Sequence, residues 1–153
     1  MSTYYGDFQW KLMKHITNML QINPYLKQIT GGRIYPQHLS TIENPSFPSV
    51  TVCRVGQGAD DEIQQINYVV LAVDIWSKKG ISELWRIYAD HDATNNRPVG
   101  VRSLLAGKTY DFPEVLVHRI HESVVVDDIY EHWSKTWHLH AQYTIYCAAK
   151  NVE

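Results

Sequence analysis

The sequence predicts an α+β fold: one mixed or antiparallel β-sheet of about four to five strands, with two helices packed on it and projecting β-hairpins. Three observations support this prediction. Residues 65–78 form a long strand pattern that is apolar on both faces, two amphipathic helix patterns lie before and after it, and two further long strand patterns end the chain. The order of helix, short strand, hairpin, helix and hairpin is typical of a sheet covered by helices.

The central strand pattern, QINYVVLAVDIWSK, is the one around which the other elements are arranged. Its β-branched and aromatic residues, without Gly or Pro, favour a strand over a helix. Side chains alternate between the two faces of a strand, so a run that is apolar on both faces requires cover on both sides. Asp74 is the exception, and we expect it at a partly exposed position near the strand end. The two apolar sets are Val69, Leu71, Val73 and Ile75 on one face and Tyr68, Val70, Ala72 and Trp76 on the other.

Length and composition predict one globular domain, residues 1–153. The 44% hydrophobic and 20% charged residues are ordinary for a globular protein, and the net charge of −2 offers no basic field for nucleic acid or an anionic membrane. Cys53 and Cys147 fall on predicted strands and suit a reducing compartment. Neither a signal peptide nor a membrane span is expected, so we predict a soluble intracellular product.

The N-terminal part predicts a helix over residues 3–22, with Thr3 as its N-cap and the Asn23–Pro24 pair at its end. The glycines at 31–32 precede a short strand at 33–35, and an ordered loop follows over 37–47. Residues 49–55 alternate as a strand and form a hairpin with the central strand. The acidic connection 56–62 reads either as a solvated turn or as a projecting arm.

The second helix pattern begins at Ile81 and continues through Leu84, Trp85 and Tyr88. Residues 95–98 interrupt it, and Pro98 fits the first turn of a new helical piece that ends at Gly107. The inward side chains of that piece would be Val101, Leu104 and Leu105.

The C-terminal third predicts two long strands, 115–127 and 135–148, separated by residues 128–134. The last strand has an apolar face and a polar face, as expected of a half-buried antiparallel strand. The apolar face consists of Trp137, Leu139, Ala141, Tyr143, Ile145 and Cys147, and the polar face of Thr136, His138, His140, Gln142, Thr144 and Tyr146.

Histidine is enriched, with eight in the chain and five between His118 and His140. A zinc site needs three or four converging ligands, and the His138-x-His140 pair supplies two. The sequence has no His-Glu-x-x-His or paired-cysteine motif to complete it, and no phosphate loop, dinucleotide fingerprint or nucleophile elbow. We therefore predict no metal site, no cofactor, no catalytic residues and surface or interface histidines.

Aromatic residues are the other excess, with five Trp and ten Tyr. Several cluster at the last hairpin, where aromatic side chains are typical of protein interfaces. A single-strand nucleic-acid platform would need interleaved Lys and Arg, which are scarce here. Trp137 also fits the core, because it shares the face of Leu139 and Ile145. The predicted interface residues are Tyr130, Trp133, Trp137, Gly56, Asp60, Asp61 and Glu62.

An ordered series of short motifs resembles the tail terminator proteins of long-tailed phages, also called tail-completion or head–tail joining proteins. After a starting helix, the series contains Gly-Arg-Ile-Tyr-Pro at 32–36, Phe-Pro-Ser-Val at 47–50, and Val-Asp-Ile-Trp-Ser at 73–77 before a helix. The resemblance covers residues 8–105 by motif order and the remainder only by the order of secondary structure. The chain departs from the commoner form in that residues 95–100 split the second helix.

The resemblance implies a structural virion protein that forms a hexameric ring, caps the tail tube and joins the tail to the neck of the head. The implied partners are further copies of the chain, the tail tube protein and a head-completion or neck protein, and no membrane. Duplex DNA would pass through the ring without specific binding. The implied location is the head-proximal end of the virion tail, after assembly in the host cytoplasm. Two alternatives remain open: a neck adaptor or minor tail protein, and a metal-dependent enzyme that uses the His-rich hairpins.

Overall fold

In the computed structural model, which describes residues 4–59 and 67–150, the chain has an α+β fold. The helices are α1 (Tyr4–Ile22), α2 (Pro24–Thr30), α3 (Ile81–Tyr88) and α4 (Val101–Leu105). The strands are β1 (Ile34–Tyr35), β2 (Ser49–Ala59), β3 (Asn67–Ser77), β4 (Asp90–Asp92), β5 (Arg97–Val99), β6 (Tyr110–Asp111), β7 (Val115–Glu131) and β8 (Thr136–Ala149).

The main sheet has six strands in the order β1-β2-β3-β8-β7-β6. β1 is parallel to β2 and all other neighbours are antiparallel, so the sheet is mixed. Strands β4 and β5 form a separate two-stranded sheet. The main sheet therefore has one strand more than the expected four to five. The strand β6, the small sheet of β4 and β5, and the helix α2 were not predicted, because these short elements carry little periodic pattern.

Strand β3 occupies the interior of the sheet, as its sequence predicts. It pairs with β2 on one side and with β8 on the other along its full described length. The residues of one face, from Val69 to Ile75 at every second position, are fully or almost fully buried beneath α1 and α3. We call this the helix-covered face; the other, which carries Tyr68, Asp74 and Trp76, is the second face.

The first helix buries Leu12, Ile16 and Leu20, which confirms the predicted apolar stripe. The Asn23–Pro24 pair ends α1 but also begins α2, which the sequence analysis missed. The Asn23 side chain accepts a hydrogen bond from the amide of Leu26 at 3.1 Å, and the proline takes the first helical position. One residue pair thus both stops a helix and caps the next.

Both long hairpins extend further than predicted. Strand β2 continues to Ala59, so residues 56–59 of the expected 56–62 connection lie in a strand, and residues 60–62 lie outside the described part of the chain. Strand β7 continues to Glu131, which leaves a turn at 132–135 in place of the expected 128–134. Register shifts interrupt both strands, between Arg54 and Gly56 in β2 and at three places in β7. Such bulges break the alternating pattern without ending the strand.

The prediction for Pro98 was wrong. It lies in β5, opposite His91 of β4, and the helix begins three residues later at Val101. A two-stranded sheet has only edge strands, where proline is tolerated because its missing amide faces away from the partner. The helix itself follows the prediction, with Val101 and Leu105 buried and Leu104 packed against the core.

A polar network lies within the helix-covered side of the sheet. The Tyr88 hydroxyl donates to Glu122 Oε2 at 2.5 Å and lies 2.5 Å from the Tyr143 hydroxyl. Arg102 donates to the other Glu122 oxygen at 2.9 Å. Burial first, then the hydrogen bond to Glu122, raises the pKa of Tyr88 far above its ordinary value, and burial also raises the pKa of Tyr143. Both hydroxyls therefore remain protonated and join α3 to β7 and β8.

No helix in residues 4–59 and 67–150 is both long and apolar enough to cross a membrane.

Replacing Gly100 with alanine is expected to destabilise the protein more than the same change at Gly80. Both residues precede a helix at positive φ, 101° and 124°, where a residue with a side chain is strained by about 1–3 kcal/mol. At Gly100 an added Cβ would lie 2.7 Å from the carbonyl oxygens of Ile87 and Tyr88, whereas at Gly80 it would meet nothing within 4 Å. Chemical denaturation measures both free energies of unfolding, and equal losses would contradict the close approach of α4 to α3.

Candidate functional site

The strongest candidate site lies on the second face of the sheet, where β3 and β8 bring three metal-ligating side chains together. Asp74 of β3 lies directly opposite His140 of β8, and Trp76 lies opposite His138. Opposite and diagonal neighbours on one face of an antiparallel pair are close enough for their side chains to touch. The sheet register therefore places Asp74 between the two histidines.

One carboxylate oxygen of Asp74 contacts both imidazole rings. Its Oδ1 lies 2.5 Å from Nε2 of His138 and 2.7 Å from Nδ1 of His140. One ligand atom from each of the three residues lies within 4.8 Å of the others. We call these three residues the Asp–His–His cluster.

Two further polar residues hold the outer nitrogens of the histidines. Nδ1 of His138 lies 3.2 Å from a carboxylate oxygen of Glu131, the last residue of β7. Nε2 of His140 lies 3.0 Å from the Gln142 side-chain amide. Both ring nitrogens of His138 thus face carboxylate oxygens.

Aromatic contacts fix the plane of the His138 ring. The Trp76 indole stacks on it with centroids 3.8 Å apart and an interplanar angle of 12°. The Trp76 N–H donates to the hydroxyl of Thr51 at 3.4 Å. Trp133, from the β7–β8 turn, and His38 contact Trp76 edge-on at 5.8 and 6.3 Å. Trp76 is therefore enclosed, with 2% of its surface exposed.

Burial of the cluster contradicts two predictions. Asp74, expected at a partly exposed position, has a side chain that is only 9% exposed, and His138, expected at the surface, is 10% exposed. His140 is 26% exposed and forms the accessible side of the cluster. A charged carboxylate that lacks solvent needs donors, and the two imidazoles supply them. By contrast, His118 and His121 are exposed, as predicted.

The argument against a metal site counted only the two ligands of the His138-x-His140 pair. The structure adds Asp74 as a third. The sequence contained one indication of it: a single carboxylate inside an apolar strand, on the face that also carries Trp76. Pairing that strand with the His-x-His strand requires their register, which the sequence does not provide.

The two cysteines are free thiols and do not belong to the cluster. Burial raises the pKa of Cys147 to about 12. Burial and, to a smaller extent, the negative charge of Asp74 raise the pKa of Cys53. Both side chains are therefore protonated at neutral pH, and a thiol binds metal ions as its thiolate.

The predicted interface residues are distributed over three places. Tyr130 and Trp133 lie at the β7–β8 hairpin end and are 42% and 55% exposed, respectively. Trp137 is partly buried against the core, which agrees with its predicted core character, and it contacts Tyr130 edge-on at 5.2 Å. Gly56 lies in β2 opposite Val70. Asp60, Asp61 and Glu62 lie outside the described residues.

No protein-family model matches the sequence, and a search of curated proteins finds no match.

Replacing Asp74 with alanine is expected to lower the free energy of unfolding by about 3–5 kcal/mol, because it leaves buried imidazole donors without their acceptor. Asp90→Ala is the matched control. Asp90 is exposed and accepts hydrogen bonds from the Tyr25 hydroxyl at 3.2 Å and from the neighbouring His91 amide at 2.8 Å, so its loss should change stability by about 0.5 kcal/mol or less. Urea denaturation in the presence of a chelator measures both variants. Equal stability of the two would contradict the burial of the cluster.

Proposed function

We propose that the protein is a structural component of a phage tail, which caps the tail tube as a ring and joins the tail to the head. The proposal rests on the motif series from Gly32 to Ser77 and on the α+β fold. One structural observation supports the assembly part of the proposal. The long strands β2 and β7 lie next to the two ends of the main sheet, and the two-residue strands β1 and β6 cover only a small part of their outer edges.

The first open edge belongs to β2. Its partner β1 pairs only with Val50 and Thr51, and within the described residues no strand pairs with the outer edge of β2 beyond them. A strand edge presents a row of backbone donors and acceptors that a neighbouring chain can complete. This edge runs for most of the eleven residues of β2.

The second open edge belongs to β7, at the opposite side of the sheet. Its partner β6 pairs only with Leu116 and Val117 of the seventeen-residue strand. Gly107 donates one further backbone hydrogen bond to Ile120, and beyond that point the described chain places no strand beside β7.

Two different edges on one protomer suit a heterologous contact, in which one edge of a subunit meets the other edge of the next. Contacts of this type generate rings when the rotation between subunits closes. The bulges in both strands disfavour indiscriminate strand addition and favour a neighbour of matching shape. The two edges therefore support head-to-tail assembly, of which a closed ring is the form that the proposal requires.

The hairpin end offers anchoring side chains beside the β7 edge. Tyr130 and Trp133 expose about half of their aromatic surface while resting on Trp137 and Trp76, respectively. Exposed aromatics on a rigid base are typical of residues that dominate interface energetics. We assign these two residues to contacts with the next subunit or with the tail tube.

Replacing Tyr130 and Trp133 together with alanine is expected to abolish ring formation and tube binding while changing the melting temperature of the monomer little. The reason is that both side chains are half exposed, so their truncation removes more interface than core. Light scattering over rising protein concentration, alone and with tail tubes of the same virus, measures assembly.

Ile22→Ala is the control, because Ile22 is 76% exposed at the end of α1 and does not belong to the β7–β8 hairpin. A wild-type protein that stays monomeric at all concentrations and never binds tubes would overturn the proposal. Unfolding of the double variant, with normal assembly of the remaining folded fraction, would place the interface elsewhere. Binding to neck rings but not to tubes would favour the neck adaptor.

Weak binding to duplex DNA is also expected, because a conduit must let the phosphate backbone pass. The net charge of −2 agrees with this requirement. Each phosphate that a protein neutralises adds affinity that falls with salt. Fluorescence anisotropy with a labelled duplex at about 0.05 and about 0.2 M salt measures the effect, and tight binding that weakens steeply between these concentrations would contradict the proposed passage.

A further inference from the structure

We propose that the Asp–His–His cluster is a binding site for a divalent transition-metal cation of the zinc type. The ligands would be a carboxylate oxygen of Asp74, Nε2 of His138 and Nδ1 of His140. This inference is independent of the proposed function, since it rests only on the geometry of these residues.

The ligand atoms already converge. Zinc binds imidazole nitrogen and carboxylate oxygen at about 2.0–2.2 Å, so two ligands of a tetrahedral ion lie about 3.3 Å apart. Asp74 Oδ1 lies 2.5 and 2.7 Å from the two nitrogens, and a metal would require these separations to widen by less than about 1 Å. The three ligand atoms lie within 4.8 Å of one another, so the two ring nitrogens would also have to approach each other by up to about 1.5 Å. Binding therefore requires the Asp74 side chain and the imidazole rings to turn.

The outer contacts of the histidines are those of metal ligands. A ligating histidine commonly donates its other ring N–H to a carboxylate or another acceptor, which orients the ring. Glu131 is placed for this role at Nδ1 of His138, at 3.2 Å. For His140 the acceptor would be Gln142, whose side-chain amide can turn its oxygen towards Nε2.

The same side chains therefore satisfy two states. Without metal, Nε2 of His138 and Nδ1 of His140 share hydrogen bonds with Asp74, and with metal these two nitrogens bind the cation instead. Nδ1 of His138 keeps its hydrogen bond to Glu131, whereas His140 carries its proton on Nε2 and donates it to the turned amide oxygen of Gln142. The stacked Trp76 ring holds His138 in the same plane in both states. A preformed site of this kind lowers the ordering cost of binding.

The donor set selects the class of cation. Two imidazole nitrogens and one carboxylate oxygen suit zinc and neighbouring first-row metals, whereas magnesium and calcium prefer oxygen ligands. The side chains of Asp74 and His138 are about nine-tenths buried, while His140 is 26% exposed and leaves a path for the cation. The fourth coordination position would be taken by water.

The test uses the full chain without a histidine tag, stripped of metal with a chelator. Titration with Zn²⁺ by calorimetry is expected to show one saturable site per chain and a rise in melting temperature. Cobalt added in place of zinc should give the visible absorption of a tetrahedral N/O site. Glu131→Gln is expected to weaken binding about 10–100-fold, the range observed for outer-shell partners of ligating histidines.

His140→Ala is expected to weaken binding by more than about 100-fold, since it removes a ligand rather than an outer partner. The matched control is the His118→Ala, His121→Ala double variant, which removes two exposed histidines from the same hairpin and should bind zinc as the wild type does. His140→Gln, which keeps a polar side chain at the site, provides a second test if the alanine variant melts early.

The proposal is overturned if the wild type shows no saturable site. It is also overturned if a folded His140 variant binds as well as the wild type, or if the His118 and His121 control loses binding equally, which would indicate adsorption to surface histidines. Selective loss in the His140 variants supports it.

Discussion

The architecture depends on the need of β3 for cover on both faces. On one face the helices provide it, and Val69, Leu71, Val73 and Ile75 are buried together with the stripes of α1 and α3. On the second face, Trp76 is covered by the turn of the β7–β8 hairpin, by His138 of β8, and by His38, which caps the short 3₁₀ helix Leu39–Thr41. The position of Asp74 within that face then determines which residues must surround it.

Elements with a long periodic pattern could be predicted from the sequence. The amphipathic stripe of α1, the α3 pattern around Leu84 and Tyr88, and the two hairpins all follow from spacing alone. The wrong predictions concern short sequence signals that are compatible with more than one local structure. Asn23–Pro24 was interpreted only as a helix stop, but it also caps the next helix. Pro98 was interpreted as a helix start, but an edge strand of the two-stranded sheet accepts proline equally well. Strands β2 and β7 were predicted too short because each contains bulges. A bulge shifts the alternation of apolar and polar residues by one position, which in the sequence resembles the end of a strand.

Only the two histidines of the candidate site could be predicted from the sequence, for a different reason. That His138 and His140 share a face follows from the two-residue period of a strand. The third member, Asp74, is 64 residues away in the chain from His138, and their contact depends on the register of β3 against β8. Register is set by turn geometry and by the fit of whole apolar faces, so a shift of one residue would have sent Asp74 into the core. The isolated carboxylate in an apolar strand was the correct place to look, but its partners could not be chosen from eight histidines.

The Asp–His–His cluster and the exposed hairpin end form one continuous structure. His138 stacks on Trp76, and Trp76 supports Trp133, so the side chain that we assign to intersubunit or tube contact rests on a ring that is held by the cluster. An aromatic pair of this kind contributes about 0.5–1.5 kcal/mol beyond its buried area. The contact can therefore hold the Trp133 ring in place only if the Trp76 ring is itself held in a fixed orientation. Asp74 and Glu131 prevent that rotation indirectly by holding both nitrogens of His138, which ties β3, β8 and the last residue of β7 together. The hydrogen-bonded cluster at the centre of the second face therefore supports the aromatic surface of the hairpin.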